Sequence, residues 1–147
     1  AEETLNGYNT SFDVKAHHVQ DGILFDEDGF KVTAFHNFHL GETGEPWRSF
    51  TYRIDTDNKT VVYSGDVESY SELDEAIGDS CDALIIETGH HKIDSAYEYC
   101  KDKKIGKIFF NHCGREILNN YEASAKKISE MFGGKAVICE DKVVAEI

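Results

Sequence analysis

Three apolar, β-forming runs each stop at a glycine beside a side chain able to bind a metal or carry a proton, and this repetition limits the fold more than any other feature. The first is Thr60-Val61-Val62-Tyr63, followed by Ser64-Gly65-Asp66. The second, Ala83-Leu84-Ile85-Ile86, runs into Glu87-Thr88-Gly89-His90-His91, and the third, Lys107-Ile108-Phe109-Phe110, into Asn111-His112-Cys113-Gly114. Leu84-Ile85-Ile86 and Ile108-Phe109-Phe110 are apolar on both faces, as strands covered from both sides are. Parallel strands joined by helical crossovers gather their C-terminal ends on one edge of a sheet. A carboxylate, a pair of imidazoles and a further imidazole are thus expected around one cleft, with Asp66 and His112 pointing inward and His90 or His91 on its rim. Such clusters at strand ends mark functional sites.

The surrounding pattern divides the chain into a β-meander and then a strand–helix alternation. Residues 1–11 are polar and aperiodic and read as a flexible leader, with one domain over 12–147. Phe12, Val14 and Ala16 alternate with polar neighbours, and Gly22 to Phe25 and Phe30 to Phe35 flank the turn-forming Asp26-Glu27-Asp28-Gly29. Ser49 to Ile54 and Thr60 to Tyr63 are paired through Asp55-Thr56-Asp57-Asn58-Lys59. Beyond Asp66, Ser69-Tyr70-Ser71-Glu72 is a capping box that opens a short helix through Ile77, closed by Gly78. A second helix is expected over Ile93 to Lys103. A third is expected from an Asn119 cap with Glu122 reaching back, carrying Tyr121, Ala125, Ile128 and Phe132 at helical spacing up to Gly133-Gly134. Lys135 to Cys139 and Val143 to Ile147 read as a closing hairpin.

A chain of 147 residues with 40% apolar content can bury one core. No apolar run approaches the roughly 20 residues a membrane helix needs, and Ala1-Glu2-Glu3-Thr4 lacks a signal-peptide pattern. Together these give a cytoplasmic expectation. Cys81, Cys100, Cys113 and Cys139 are scattered, so reduced thiols are expected rather than a disulfide framework or a zinc ribbon, with Cys113 able to face the site. A net charge of −13 opposes tight binding to nucleic acid by this chain alone. The acidic residues otherwise read as a solvated surface.

The order of a strand ending Ser64-Gly65-Asp66, one ending Glu87-Thr88 with histidines, and one ending His112 resembles the second half of metallo-β-lactamase-fold hydrolases, in the style of the ribonuclease Z-like branch. Phe30 to His39 and Ser49 to Ile54 resemble that branch's strand, histidine and strand leading into the aspartate turn. The resemblance implies an α/β fold, half of an αββα sandwich. In the family the aspartate matching Asp66 bridges two metals, the histidine matching His112 binds the second, and a histidine near His90 or His91 assists proton transfer. Zinc is the implied metal and metal-assisted hydrolysis of an ester, amide or phosphodiester the implied reaction. The family's His-x-His-x-Asp-His cluster and a further metal-binding histidine belong to its first half, and no such cluster occurs in this sequence. The expectation is therefore a C-terminal half with Asp66 and His112 as its metal ligands, binding zinc weakly and turning over little alone. A missing N-terminal half or a second copy would cover the exposed sheet. The alternative is a non-catalytic binding or scaffold module that keeps the fold.

The other histidines and the loop aromatic weigh differently. His39 is as suited to supporting a ligand as to direct contact. His17-His18, one inward and one outward on an alternating strand, read as structural. Trp47 beside Arg48 reads as packing.

Overall fold

The computed structural model describes residues 17–41, 46–141 and 144–147. Among them a single seven-stranded sheet runs in chain order: β1 (Gly22–Glu27), β2 (Phe30–His36), β3 (Phe50–Thr56), β4 (Thr60–Tyr63), β5 (Cys81–Thr88), β6 (Ile105–Cys113) and β7 (Ala136–Ile138). The first four strands pair antiparallel, and β4 to β7 pair parallel. The meander followed by strand–helix alternation is thus the observed α/β architecture. The leader and the Phe12 to Ala16 strand lie outside the described residues.

Between β4 and β5 stands a 3-10 turn (Tyr70–Leu73) continuing into α1 (Asp74–Ile77), and both halves of the Ser69/Glu72 capping box form. Arg53 on β3 closes the far end of α1. Its Nη1 donates to the carbonyls of Ala76 and Ile77 at 2.9 and 3.1 Å, satisfying acceptors that so short a helix leaves open. Helix α2 (Ile93–Cys100) joins β5 to β6, and α3 (Arg115–Leu118) and α4 (Tyr121–Phe132) join β6 to β7. Helix α2 ends before Lys103, where Lys103 N–H turns back to the Cys100 carbonyl at 3.1 Å.

Two expectations fail here. Asn119 does not cap α4, because α3 absorbs it: Asn119 N–H bonds back to the Arg115 carbonyl. Asn120 holds the capping position without a side-chain bond. Nor is there a closing hairpin among the described residues. Helix α4 returns the chain so that Ala136–Ile138 enters parallel to β6, with Cys139 N–H donating to Phe110 O at 2.8 Å. Residues 144–147 form no strand, and Val144 is 92% exposed.

The helices pack on one face. Val62, Leu84, Ile86, Ile108 and Phe110 meet Leu73, Ile77, Ile93, Ala96, Ile117 and Ile128 in a single buried cluster. On the other face the register aligns Tyr63, Ile85, Phe109 and Val137 in one row, continued by Tyr52 beside Tyr63. Tyr63 and Val137 are exposed and Ile85 and Phe109 only half-buried. Every buried apolar side chain of the helices belongs to the first face, so among the described residues this is one sheet and one helical layer of a sandwich. No described helix is long and apolar enough to cross a membrane.

Candidate metal centre

Each parallel strand delivers its site residue through a local backbone device. After β4, Gly65 takes φ +60°, and a Cβ there would lie 2.5 Å from Phe50 O, so the turn that presents Asp66 needs glycine. Buried Ser64 ties that turn to β5. Its N–H donates to Ile85 O at 2.9 Å, and its hydroxyl oxygen accepts Glu87 N–H at 3.1 Å. At the end of β6 the pairing passes from Glu87↔Asn111 to Thr88↔Cys113, leaving His112 as the extra residue of a bulge. His112 adopts φ 41°, uncommon for a histidine, and the bulge turns its ring toward Asp66. Gly89 leaves room for that ring, since a Cβ there would stand 3.0 Å from His112 Cε1.

The three strand ends converge. His112 Nδ1 meets Asp66 Oδ1 at 2.6 Å, and the other carboxylate oxygen lies 3.8 Å from His39 Nε2. The His90 ring stands 4.6 Å from that of His39 and 5.3 Å from that of His112, centroid to centroid. One ligand atom from each of Asp66, Glu87, His90 and His112 fits within 4.8 Å of the others, a group that could hold a metal ion. Asp66, His90 and His112 open to solvent, whereas Glu87 is 1% exposed.

Glu87 differs from the rest in being already engaged. Its carboxylate accepts Val67 N–H at 3.2 Å and His90 N–H at 3.0 Å and faces His90 Nδ1 at 3.0 Å, while its own carbonyl accepts the buried Tyr70 hydroxyl at 2.8 Å. Burial alone would lift this carboxyl, but the His90 and Val67 N–H donors and the His90 ring outweigh it, and its pKa falls below the ordinary glutamate value. The Tyr70 hydroxyl is pushed far up by burial, with Glu87 adding to it. Glu87 therefore serves better as the group that orients His90 than as a metal ligand. With Glu87 accepting from Nδ1–H, Nε2 of His90 is left to face outward. His91 is committed elsewhere: its Nε2 donates to Val67 O at 2.9 Å and its ring packs on Tyr70 at 4.4 Å.

His39 reaches Asp66 because its loop is pinned twice. Its N–H donates to Asn37 Oδ1 at 3.2 Å, and Phe38 N–H donates to Glu72, the capping-box carboxylate beside the Asp66 turn, at 2.8 Å. Glu72 accepts Glu68 and Ser69 N–H with its second oxygen and so locks the two loops together. Cys113 does not face the site. It packs against the core cluster, because the bulge at His112 turns the next residue inward. His17 and His18 are both exposed, with no strand there to impose alternation. Trp47 stacks on His36 at 4.0 Å and 7°, a packing role.

Solved structures share this architecture. The metallo-β-lactamase fold protein YhfI from Bacillus subtilis superposes with a TM-score of 0.59 at 24% identity, over 83% of this chain and 52% of that one. Zn(2+)-bound PqqB from Methylobacterium extorquens gives 0.58 at 15% identity, over 81% and 51%. Igni18, a metallo hydrolase from Ignicoccus hospitalis KIN4/I, gives 0.56 at 16% identity, over 76% and 50%. No protein-family model and no curated relative matches. The chain has the metallo-β-lactamase fold. It spans about half the length of each of these structures.

Proposed function

We propose that this chain is the C-terminal half of a metal-dependent hydrolase acting on an ester, amide or phosphodiester. The observation that carries the reading is the contact of Asp66 with His112 at 2.6 Å, with the rings of His39 and His90 closing around it. Two imidazoles and a carboxylate suit zinc, and Asp66 presents its two oxygens to different histidines, as a carboxylate bridging two metals would. A bound divalent cation would supply Lewis acidity and lower the pKa of water. The chain's own residues do the rest. Asp66 and His112 would hold the cation, with His39 beside the second oxygen of Asp66, and His90, its Nδ1 fixed by Glu87, would offer Nε2 to a proton on substrate or leaving group. His91, its Nε2 donating to Val67 O and its ring packed on Tyr70, is the less exposed of the two and the weaker candidate for that role.

Completion of the sandwich supports the same reading. The face of the sheet that no described helix covers carries the apolar row Tyr63, Ile85, Phe109 and Val137, and this chain spans about half the length of the matched structures. A second β-rich half carrying the remaining metal ligands would cover that row, with a second copy of this chain as the other candidate. The test is to read the coding sequence upstream and assay the metal-loaded protein with and without it on nitrophenyl esters and bis-nitrophenyl phosphate. The proposal expects an upstream His-x-His-x-Asp-His segment and turnover that needs both halves and is lost in Asp66→Asn. Absence of that segment together with no turnover would favour a non-catalytic scaffold.

A further inference from the structure

A cavity of 480 Å³ opens beside the site, its wall shared by His90, Thr88, Lys92, Arg115, Asp94 and Glu116. Three observations describe what it would accept. The first is cationic surplus. Asp94 and Glu116 share the Lys127 ammonium at 2.6 and 3.1 Å, and Glu116 also accepts Ile93 N–H, so that with Lys92 and Arg115 the wall keeps a surplus of one positive charge. Lys92 and Arg115 have no ion-pair partner among the described residues, as is also true of Lys31, Arg48, Lys104, Lys107 and Lys135, and they are the two that share this cavity wall. In a chain of net charge −13 with abundant carboxylates, two cations left unpaired on one cavity wall are notable for what they leave available.

The second observation is an orphaned donor. Thr88 is 3% exposed, yet its Oγ1 is the buried side-chain polar atom that finds no hydrogen-bond partner among the described residues. Its near neighbour is the Cys113 thiol, a weak partner whose pKa burial nonetheless keeps raised. A buried hydroxyl without a partner costs stability unless something else fills the position. The third is position, because Thr88 directly follows Glu87 and His90 shares the same wall. A group seated there lies next to the proposed metal and proton-carrying residues.

We infer that this cavity binds a phosphoryl-type oxyanion of the substrate, held by Arg115, Lys92 and the Thr88 hydroxyl. The inference rests on the hydrolase reading for the word substrate, but not for the binding itself. A guanidinium fork, a point ammonium and a hydroxyl donor together match a tetrahedral anion with several oxygens, whereas a carboxylate would be satisfied by the guanidinium alone.

Nuclear magnetic resonance titration of the full, metal-free chain, kept in chelator, separates this subsite from the metal centre. Phenyl phosphate is the probe, benzoate the competitor of different geometry. Saturable shifts at the amides of Thr88, Lys92 and Arg115 are expected, with benzoate binding at least about tenfold more weakly. Arg115→Ala and Lys92→Ala should each weaken phenyl phosphate by about tenfold, Thr88→Val by a smaller factor, and Lys104→Ala, an exposed lysine outside the cavity, not at all. Because Lys92 and Arg115 are exposed, their variants keep the fold, which circular dichroism confirms. Shifts that fail to saturate, equal loss in Lys104→Ala, or benzoate binding as tightly as phenyl phosphate would each overturn the inference, whatever the metal titration shows.

Discussion

Glu87 joins the site to the stability of the fold, and replacing it gives a worked test. The carboxylate is the acceptor for two backbone N–H groups and one ring nitrogen, at 3.0 to 3.2 Å. Each buried donor left unpaired costs about 1–3 kcal/mol. Val67 is fully buried and takes the upper part of that range, while exposed His90 can recruit water and takes the lower. Glu87→Ala should thus destabilise by about 3 kcal/mol, part of a total of about 5–15 kcal/mol for a domain of this kind. Glu87→Gln keeps one acceptor oxygen and should cost about 1–2 kcal/mol. Acid dependence gives a second reading. The folded pKa lies below the ordinary value of 4.5, so the carboxylate's contribution is complete above that value and disappears as pH falls through the folded pKa. Urea unfolding of the metal-free proteins at neutral pH and at successive points below 4.5 measures both. The gap between wild type and Glu87→Gln should narrow on acidification. An Ala variant within about 0.5 kcal/mol of wild type, or a Gln gap that does not change with pH, would refute the assignment of Glu87 as a charged, hydrogen-bonded anchor.

Two other outcomes follow from the geometry. Gly89→Ala places a methyl 3.0 Å from His112 Cε1 and should cost about 1–3 kcal/mol; a loss of the hydrogen-bonded His112 Nδ1–H proton signal in the metal-free protein would report the ring's displacement, and an unchanged signal would contradict it. The row of Tyr63, Ile85, Phe109 and Val137, which no described helix covers, should drive association at micromolar concentration, seen by light scattering and reversed by lysine at Ile85 and Phe109; a wild-type monomer would mean the chain covers its own sheet.

The convergence of the strand ends was legible because parallel strands leave few choices. Once Val61-Val62, Leu84-Ile85-Ile86 and Ile108-Phe109-Phe110 alternate with helices, their C-terminal ends share an edge, and Asp66 and His112 must meet there. Turn chemistry at Asp26 to Gly29 and at Asp55 to Lys59 marked the hairpins for the same local reason. The direction of β7 was not legible, since Ala136–Ile138 is too short for a period and its sense is set by where α4 delivers it. Glu87 stood in the quoted motif without being singled out, because its burial depends on donors from Val67 and His90 that only folding supplies. A lone acid at the end of an otherwise apolar strand is the signal that could have marked it. His39 lies 27 residues before Asp66, across a loop, and its approach depends on Glu72 bonding to Phe38.

The central claim is that Asp66, His112 and their neighbouring histidines form a metal site within this chain. With His39 beside the two ligands read from sequence, binding should be firmer than two ligands would give. Titration of chelator-stripped protein with cobalt, read by its visible absorption and checked by zinc competition, tests this most directly. The account predicts a single cation per chain, retained through dialysis, with a spectrum of mixed nitrogen and oxygen ligation that Asp66→Ala and His112→Ala abolish and His39→Ala weakens. Failure to bind, or binding that survives loss of Asp66 and His112, would contradict it.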